Sequence, residues 1–315
     1  MVTRSSLSYF TCTSMLNVFF YLINHLCYVN ASEHYTVMIL QHVKARCPVY
    51  PRTQIKKFTV PDDKVLWTVE YKEYKPRFYT APSVYGKPWA DPDIDDLKFK
   101  PTWNSIDGNV NRKSYVGNYS IKNGFPMNPV GRTGIYGRGL LGRWGPNHAA
   151  DPVVTRWKKQ ADGENAIDEI TKKPILQFVA IKRGDTGEWA LPGGMVDPGE
   201  KVGVTAVREF QEEAMNSLSA TDEEKSQWNQ QLKYFFSKGV EVYSGYVDDP
   251  RNTDNAWLET VAYNFHDHDG STVGGLKLNA GDDAVGVCWV DITPNIELYA
   301  SHKDIVSEVY KRLLK

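Results

Sequence analysis

Three glutamates near the middle of the chain have the spacing of a divalent-cation site. At about 100° per residue, Glu209, Glu212 and Glu213 fall on one stripe of a helix. Like charges this close destabilise a helix by a few tenths of a kcal/mol per pair, and Arg208 can offset only part of that repulsion. Mg²⁺ prefers oxygen ligands and binds through a few carboxylates together with substrate phosphates. The stripe therefore indicates either a solvated acidic helix face or a metal-phosphate site.

The turn in front of these glutamates favours the metal-phosphate site. The sequence "LPGG" places Gly193 and Gly194 just before the predicted helix, so the backbone there can approach a ligand closely. A helix N-terminus favours anions, and Glu200 adds a further carboxylate between the turn and Arg208. Metal ions at a phosphoanhydride neutralise its charge and activate an attacking water.

The predicted elements around this helix indicate an α/β or α+β domain. The predicted helix buries Val207, Phe210, Ala214 and Leu218 opposite the carboxylates. Dense apolar runs predict strands, and amphipathic runs predict two further helices. The predicted strands cover residues 175–183, 188–194, 241–247, 256–265 and 285–292, and the further helices cover 221–236 and 301–315.

The region before residue 152 is predicted to be different in character. Residues 44–151 form an irregular domain with one predicted strand at 66–74, and residues 152–315 form the α/β domain. Between residues 128 and 152, six glycines alternate with three arginines, Arg132, Arg138 and Arg143. This segment is either a plain connector or a backbone that can approach an anion.

Residues 1–43 are predicted to be a leader. The first 32 residues contain no Asp or Glu, which favours mitochondrial import over secretion, with a cytoplasmic location as a further alternative. The apolar run at 16–29 is too short and too polar for a membrane span, so we expect no stable membrane insertion of the mature protein.

Composition excludes several classes of protein. The net charge of −1 over 315 residues and the absence of a basic stripe argue against a nucleic-acid partner. The four cysteines show neither zinc-site spacing nor a disulfide framework. We expect the protein to act as a monomer.

The spacing of Gly194, Glu200 and "REFQEE" at 208–213 resembles the box that defines the Nudix hydrolases. The chain departs from that box at Met215, where the family has Gly, and at Asn216, where it has an apolar residue. Further blocks, among them "LQFVAIKR" and "GYVDDPRNTDNAW", are similar to the branch that hydrolyses ADP-ribose. They are also similar to the related domain of an ADP-ribose-gated melastatin-type cation channel.

The resemblance implies an α/β/α sandwich around a mixed sheet, with a smaller irregular N-terminal domain, and a reaction. The reaction is hydrolysis of ADP-ribose to AMP and ribose 5-phosphate with Mg²⁺ or Mn²⁺. Its metal ligands would be Glu209, Glu212, Glu213 and the Gly194 carbonyl, with Arg208 and Glu200 holding the helix in place. The general base would be a carboxylate of the box, or else Asp282 or Asp283 on a later loop.

Substrate contacts are implied by the same resemblance. Asp249 and Arg251 would hold ribose and phosphate, and His148, Tyr299 and Arg138 would line the pocket. Two alternatives stay open at this point: an ADP-ribose sensor without turnover, and a hydrolase of another nucleoside diphosphate derivative.

Overall fold

The computed structural model describes residues 42–274, 278–282 and 284–315, which belong to one compact unit, Leu40–Lys315. The predicted leader falls outside the described residues except for His42 and Val43. The strands are β1 Arg77–Thr80, β2 Ile106–Asp107, β3 Val110–Asn111, β4 Ile121–Lys122, β5 Phe125–Pro126, β6 Ile135–Gly139, β7 Gly145–Trp157, β8 Leu176–Arg183, β9 Trp189–Ala190, β10 Gly194–Met195, β11 Val240–Tyr246, β12 Ala256–Asp267 and β13 Ala284–Asp291. The helices are α1 Val202–Glu209, which continues as a π-helical turn Phe210–Ala214, α2 Asp222–Phe236 and α3 His302–Leu313, with 3-10 turns Asp62–Lys64 and Ser217–Ser219.

A mixed seven-stranded sheet organises the C-terminal half. Five strands lie in the order β11-β12-β7-β8-β13, while β10 pairs with β7 and β9 pairs with β8. The β7 and β12 strands are parallel over twelve residue pairs, and the other pairings are antiparallel. Because β9 and β10 flank the glycine turn, both ends of that turn are fastened to the central sheet.

Alternate side chains of the central strands divide the core into two layers, as the two-residue period of a strand requires. Val153, Phe178 and Ala180 pack with Ile305 and other residues of α3 on one face. Val154 and Val179 point to the other face, where they pack with the π-helical turn and α2. The predicted α/β/α sandwich is therefore confirmed.

The long strand β7 was not predicted from the sequence. Its residues "GPNHAADPVVTRW" include turn formers and two prolines, so local propensity favours a loop. Pro152 is tolerated because it lies between the pairing of Ala149 and Ala150 with β10 and the pairing of Thr155 to Trp157 with β8. The predicted boundary at 151 and 152 thus falls inside a continuous strand, and the division into domains stays a prediction.

Residues 66–74, all of them described, form turns and bends rather than the predicted strand. The guanidinium of Arg132 explains the difference, because it donates to the carbonyls of Leu66 and Val69 and that of Lys64. The rings of Trp67, Tyr71 and Tyr74 surround the same guanidinium. A backbone that wraps a cation in this way cannot extend into a ladder.

The glycine-rich segment packs backbone against backbone. A Cβ at Gly131, Gly134 or Gly137 would lie within 2.1–2.5 Å of a carbonyl oxygen of the N-terminal region, and each of the three has a positive φ. An arginine of this segment is also bound to the N-terminal region. Arg143 pairs with the buried Asp91, which pairs in addition with Arg112. The segment is therefore packed closely against the N-terminal region and is not a free connector.

No helix of the described residues is long and apolar enough to cross a membrane. Among those residues, Cys47 and Cys288 are both free thiols.

Candidate active site

The carboxylates of the box lie on helix α1 and on the wider, π-helical turn that ends it. Helix α1 gives way to a π-helical turn after Glu209, and such turns are frequent at functional sites. Phe210 and Ala214 are fully buried and anchor the turn on the sheet. The predicted apolar partner Leu218 is instead 60% exposed, because the helix ends at Ala214 and the chain turns away. Asn216 makes that turn in the left-handed conformation that Asn tolerates.

Arg208 holds the carboxylates together. Its guanidinium lies 3.0 Å from Glu200, 2.7 Å from Glu209 and 3.1 Å from Glu212, and it also donates to the Met195 carbonyl at 3.1 Å. Glu200 accepts a further hydrogen bond of 2.7 Å from the Thr205 hydroxyl. One cation therefore fixes the glycine turn, the loop before the helix and two carboxylates relative to one another.

The glycine turn lies directly against two of the carboxylates. The Gly193 N–H donates to Glu213 at 2.9 Å, and a Cβ at Gly194 would be 2.4 Å from the carboxylate atoms of Glu209. A Cβ at Gly193 would lie 2.2 Å from an oxygen of the buried Asp151. A side chain at Gly193 would meet both this carboxylate and the Ala150 carbonyl, whereas one at Gly194 would displace the end of the Glu209 side chain.

The charge of this cluster fits a divalent cation. When all four are ionised, Glu200, Glu209, Glu212 and Glu213 carry four negative charges against the single positive charge of Arg208. Glu209 and Glu213 are buried, and burial raises the pKa of Glu209 to about 7 even though Arg208 opposes the shift. Within the described ranges, no group of three acidic, histidine or cysteine side chains is placed to hold a metal ion, so a cation here would also need backbone, substrate or water ligands. Oxygen donors of this kind suit Mg²⁺, which takes its remaining ligands from phosphates and water.

The loop that carries Asp282 is fastened to the end of the same helix. The N–H groups of Asn279 and Gly281 donate to the carbonyls of Ala214 and Glu213, at 2.9 and 3.2 Å. Asp282 has a positive φ of 50° and lies close enough to Glu209 for their charges to repel. The structure thus brings Asp282 to the carboxylate cluster, while Asp283 lies outside the described residues.

Three of the five predicted substrate residues form one group. Arg251 binds the buried Asp249 through two hydrogen bonds of 2.8 and 2.9 Å, and the Tyr299 hydroxyl donates to the same carboxylate at 3.0 Å. Tyr299 also packs with Ala190, just before the glycine turn, and with Ala284, just after the Asp282 loop. The group therefore lies beside the carboxylate cluster.

His148 and Arg138 lie apart from this group. The ring of His148 is buried, bonds the Lys113 carbonyl at 2.9 Å and has a pKa lowered to about 4 by burial. Arg138 has no exposed side-chain surface and binds the carbonyls of Asp91 and Gly142 together with the Asp93 carboxylate. The predicted pocket role of Arg138 is therefore corrected to a packing role in the N-terminal region.

Sequence reasoning missed four residues that meet at this group. The Tyr50 hydroxyl donates to the Arg251 carbonyl at 2.7 Å, and His302 accepts from the Leu191 N–H at 2.9 Å. Arg183 stacks on the Tyr299 ring, and Asp185 binds Arg183. Their position in the fold reveals them, because none lies in the acidic box, although Arg183 ends the block "LQFVAIKR" that resembles the ADP-ribose branch.

Comparison with known proteins identifies two domain families in the chain. The model of the NUDIX domain matches residues 171–310, and the model of the NUDT9-like N-terminal domain matches residues 60–145. The mitochondrial ADP-ribose pyrophosphatase of Rattus norvegicus is 54% identical over 273 residues, which cover 86% of this chain and 78% of the rat protein.

Two channel proteins are also similar. The transient receptor potential cation channel subfamily M member-like 2 of Nematostella vectensis is 51% identical over 279 residues, or 87% of this chain. Subfamily M member 2 of Mus musculus is 37% identical over 279 residues, or 85% of this chain. The chain spans 18% of the length of each channel.

Proposed function

Since this chain belongs to the Nudix hydrolase family, we propose that it hydrolyses the pyrophosphate of ADP-ribose to AMP and ribose 5-phosphate with a divalent cation. The rat relative is named an ADP-ribose pyrophosphatase, and the two chains align over most of both lengths. The observation that carries the proposal is the cluster of four glutamates around Arg208, with the glycine turn pressed against Glu209 and Glu213.

The cation would be held by Glu209, Glu212 and Glu213, together with the Gly194 carbonyl. When bound, Mg²⁺ or Mn²⁺ would neutralise the diphosphate and lower the pKa of an attacking water. The described structure supports this ligand set through the excess negative charge that Arg208 leaves uncompensated. The candidate donors are all oxygen atoms, which suit Mg²⁺ and Mn²⁺ alike.

The protein residues have separate tasks in this reaction. Arg208 and Glu200 keep the carboxylates and the turn in one arrangement, so that little reorganisation is needed when the substrate binds. Arg251 and Asp249 would bind the substrate beside the cluster, where an Arg can grip phosphate and an Asp can accept from ribose hydroxyls. The proton of the attacking water would pass to a carboxylate of the box or to the Asp282–Asp283 loop.

The setting of the enzyme is inferred from the rat relative and from the sequence. We infer a mitochondrial location, supported by the name of the rat protein and by the acid-free start of the chain. We also infer that the protein acts as a monomer without a nucleic-acid partner.

Product analysis tests the proposal most directly. The full chain is incubated with ADP-ribose and Mg²⁺, and AMP and ribose 5-phosphate are separated and quantified. Equal release of the two products, abolished by a chelator and restored by Mg²⁺, is the expected result. Binding of ADP-ribose without turnover would instead identify a sensor. Faster turnover of another nucleoside diphosphate derivative would identify a different substrate.

A further inference from the structure

We propose that Arg183 is a further substrate-binding residue, which contacts the anionic part of the nucleoside diphosphate and is positioned by Asp185 and Arg52. The inference rests on the proposed function and extends it to a residue outside the acidic box. Its basis is a closed ring of contacts that joins four separate segments of the chain. We call it the recognition ring, and it consists of Tyr50, Arg52, Asp185, Arg183, Tyr299, Asp249 and Arg251.

The first half of the recognition ring places Arg183 beside the predicted pocket. Its guanidinium lies 4.5 Å from the centre of the Tyr299 ring, in the geometry of a cation–π contact. Tyr299 in turn donates to Asp249, which holds Arg251. Arg183 and Arg251 are near enough to repel each other, and Tyr299 links them, since its ring contacts Arg183 and its hydroxyl binds the carboxylate that holds Arg251.

The second half of the recognition ring fixes the orientation of Arg183. Asp185 accepts two hydrogen bonds from Arg183, at 2.9 and 3.0 Å, and a third from Arg52 at 2.6 Å. Arg52 closes the ring through the chain, because Tyr50, two residues earlier, donates to the Arg251 carbonyl. An isolated surface ion pair contributes little, whereas a bidentate pair in a network holds its geometry.

The location of Arg183 in the sheet connects it with the catalytic loops. Arg183 ends β8, where its register partner Ala284 follows the Asp282 loop. Lys182 and Ile181 pair with β9, the strand that leads into the glycine turn. Arg183 therefore lies at the end of the sheet where the glycine turn and the Asp282 loop also lie.

The recognition ring has an excess of positive charge. Three guanidinium groups, those of Arg52, Arg183 and Arg251, face the two carboxylates of Asp185 and Asp249. The Arg183 side chain keeps 15% of its surface exposed and that of Arg251 keeps 32%, so both can still reach a ligand. A phosphate group is the chemical class that a pair of such forks recognises.

Steady-state kinetics with four variants test this assignment. Arg183→Gln is expected to raise KM for ADP-ribose roughly tenfold, the worth of one charged hydrogen bond, with kcat within a few fold of wild type. The KM of Arg183→Lys should lie between those of the wild type and Arg183→Gln, because lysine keeps the charge but cannot form the bidentate pair with Asp185. Arg52→Gln should raise KM a few fold. When Arg52→Gln is added to Arg183→Gln, KM should rise no further, because a positioning residue acts only through the residue that it holds.

Lys158→Gln is the matched control. Lys158 pairs with Asp291 at 2.8 Å, near the opposite end of the β8–β13 pair, so its loss changes the net charge equally but away from the site. Its KM should stay at the wild-type value, and melting temperatures should show that all variants fold. Competitive inhibition by AMP and by ribose 5-phosphate then identifies which phosphate Arg183 contacts, because only one should weaken in Arg183→Gln.

An unchanged KM in both Arg183→Gln and Arg52→Gln would overturn the assignment. So would an equal rise of KM in the Lys158→Gln control. If Arg183→Gln fails to fold, Arg52→Gln still decides the matter, because its side chain is 64% exposed and its loss leaves no buried cavity. Failure of the proposed function is a different result, since the wild-type protein would then not release AMP at all.

Discussion

Replacing Gly194 by alanine tests how closely the turn must approach Glu209. The φ of Gly194 is not positive, so alanine is allowed by the backbone, and any effect comes from its Cβ. That Cβ would lie 2.4 Å from the Glu209 carboxylate, whereas ordinary contacts begin at 3.4 Å. The carboxylate would therefore have to move by about 1 Å, away from the place where Arg208 holds it.

Such a displacement should damage catalysis more than stability. A misplacement of about 1 Å in a catalytic group can cost on the order of a hundredfold in rate, or about 2.7 kcal/mol of transition-state stabilisation. The folded state can adapt by rotating the end of one side chain. We therefore expect the lower end of the overpacking range, about 1 kcal/mol, and a melting temperature lower by a few degrees.

The assay compares Gly194→Ala with Gly203→Ala in kcat/KM for ADP-ribose at saturating Mg²⁺ and in melting temperature. A Cβ at Gly203 meets nothing within 4 Å, and alanine in helix α1 should add about 0.5–1 kcal/mol of stability. The control should thus melt at or above the wild-type temperature with normal activity. Wild-type kcat/KM in Gly194→Ala would refute the close approach, and equal losses in both variants would attribute the effect to the helix.

Four further predictions concern other parts of the molecule. Glu212→Gln and Glu213→Gln should each lower kcat on the order of a thousandfold while ADP-ribose still binds, since a metal contributes several kcal/mol to the transition state. Near-normal kcat at saturating Mg²⁺ would make them a solvated face. Arg251→Ala should raise KM more than it lowers kcat, and an unchanged KM would remove it from the site. A chain without residues 1–41 should fold and keep wild-type kcat, which activity and circular dichroism of the purified product can check. Burial lowers the pKa of His42 to about 4. The contribution of His42 to the free energy of unfolding should therefore fall by up to about 1.4 kcal/mol per pH unit as the pH is lowered from 6.5 to 4. His42→Gln should flatten that slope in urea titrations, and an identical slope would contradict the burial.

Long periodic segments could be predicted from the sequence because their own residues determine them. The strands β8, β12 and β13 and helix α3 agree with their predicted positions within about two residues. Strand β7 could not be predicted, because its Gly, Pro and Asn residues favour a loop and pairing with β12, β10 and β8 extends it. The prediction for residues 66–74 was wrong in the opposite sense. The sequence alternates like a strand, but the hydrogen bonds of its carbonyls to Arg132 hold the segment in turns.

The candidate site divides in the same way. The glutamates, Arg208 and the glycine turn lie within 21 residues of one another, so their spacing alone indicates a common site. The π-helical turn could not be predicted, because the carbonyls of Glu213 and Ala214 are bound by the N–H groups of a loop some 65 residues later. Arg183 and Tyr50 also escaped prediction, since a lone arginine or tyrosine acquires meaning only from neighbours that are distant in sequence.

The parallel pairing of β7 with β12 also constrains how the chain can be synthesised. The two partners are separated by about 110 residues, and every register pair from Gly145 to Arg156 waits for the later strand. At the usual 5–20 residues per second, β7 emerges roughly 5–20 s before its partner exists. During that interval the side of β7 that will face β12 has no hydrogen-bonding partner. Unpaired strand edges of this kind promote association with other chains. The N-terminal region faces the same delay, since Asp254 must arrive before it can accept hydrogen bonds from Tyr74 and Thr133. Productive folding of the whole unit should therefore follow completion of β12 rather than proceed from the N-terminus.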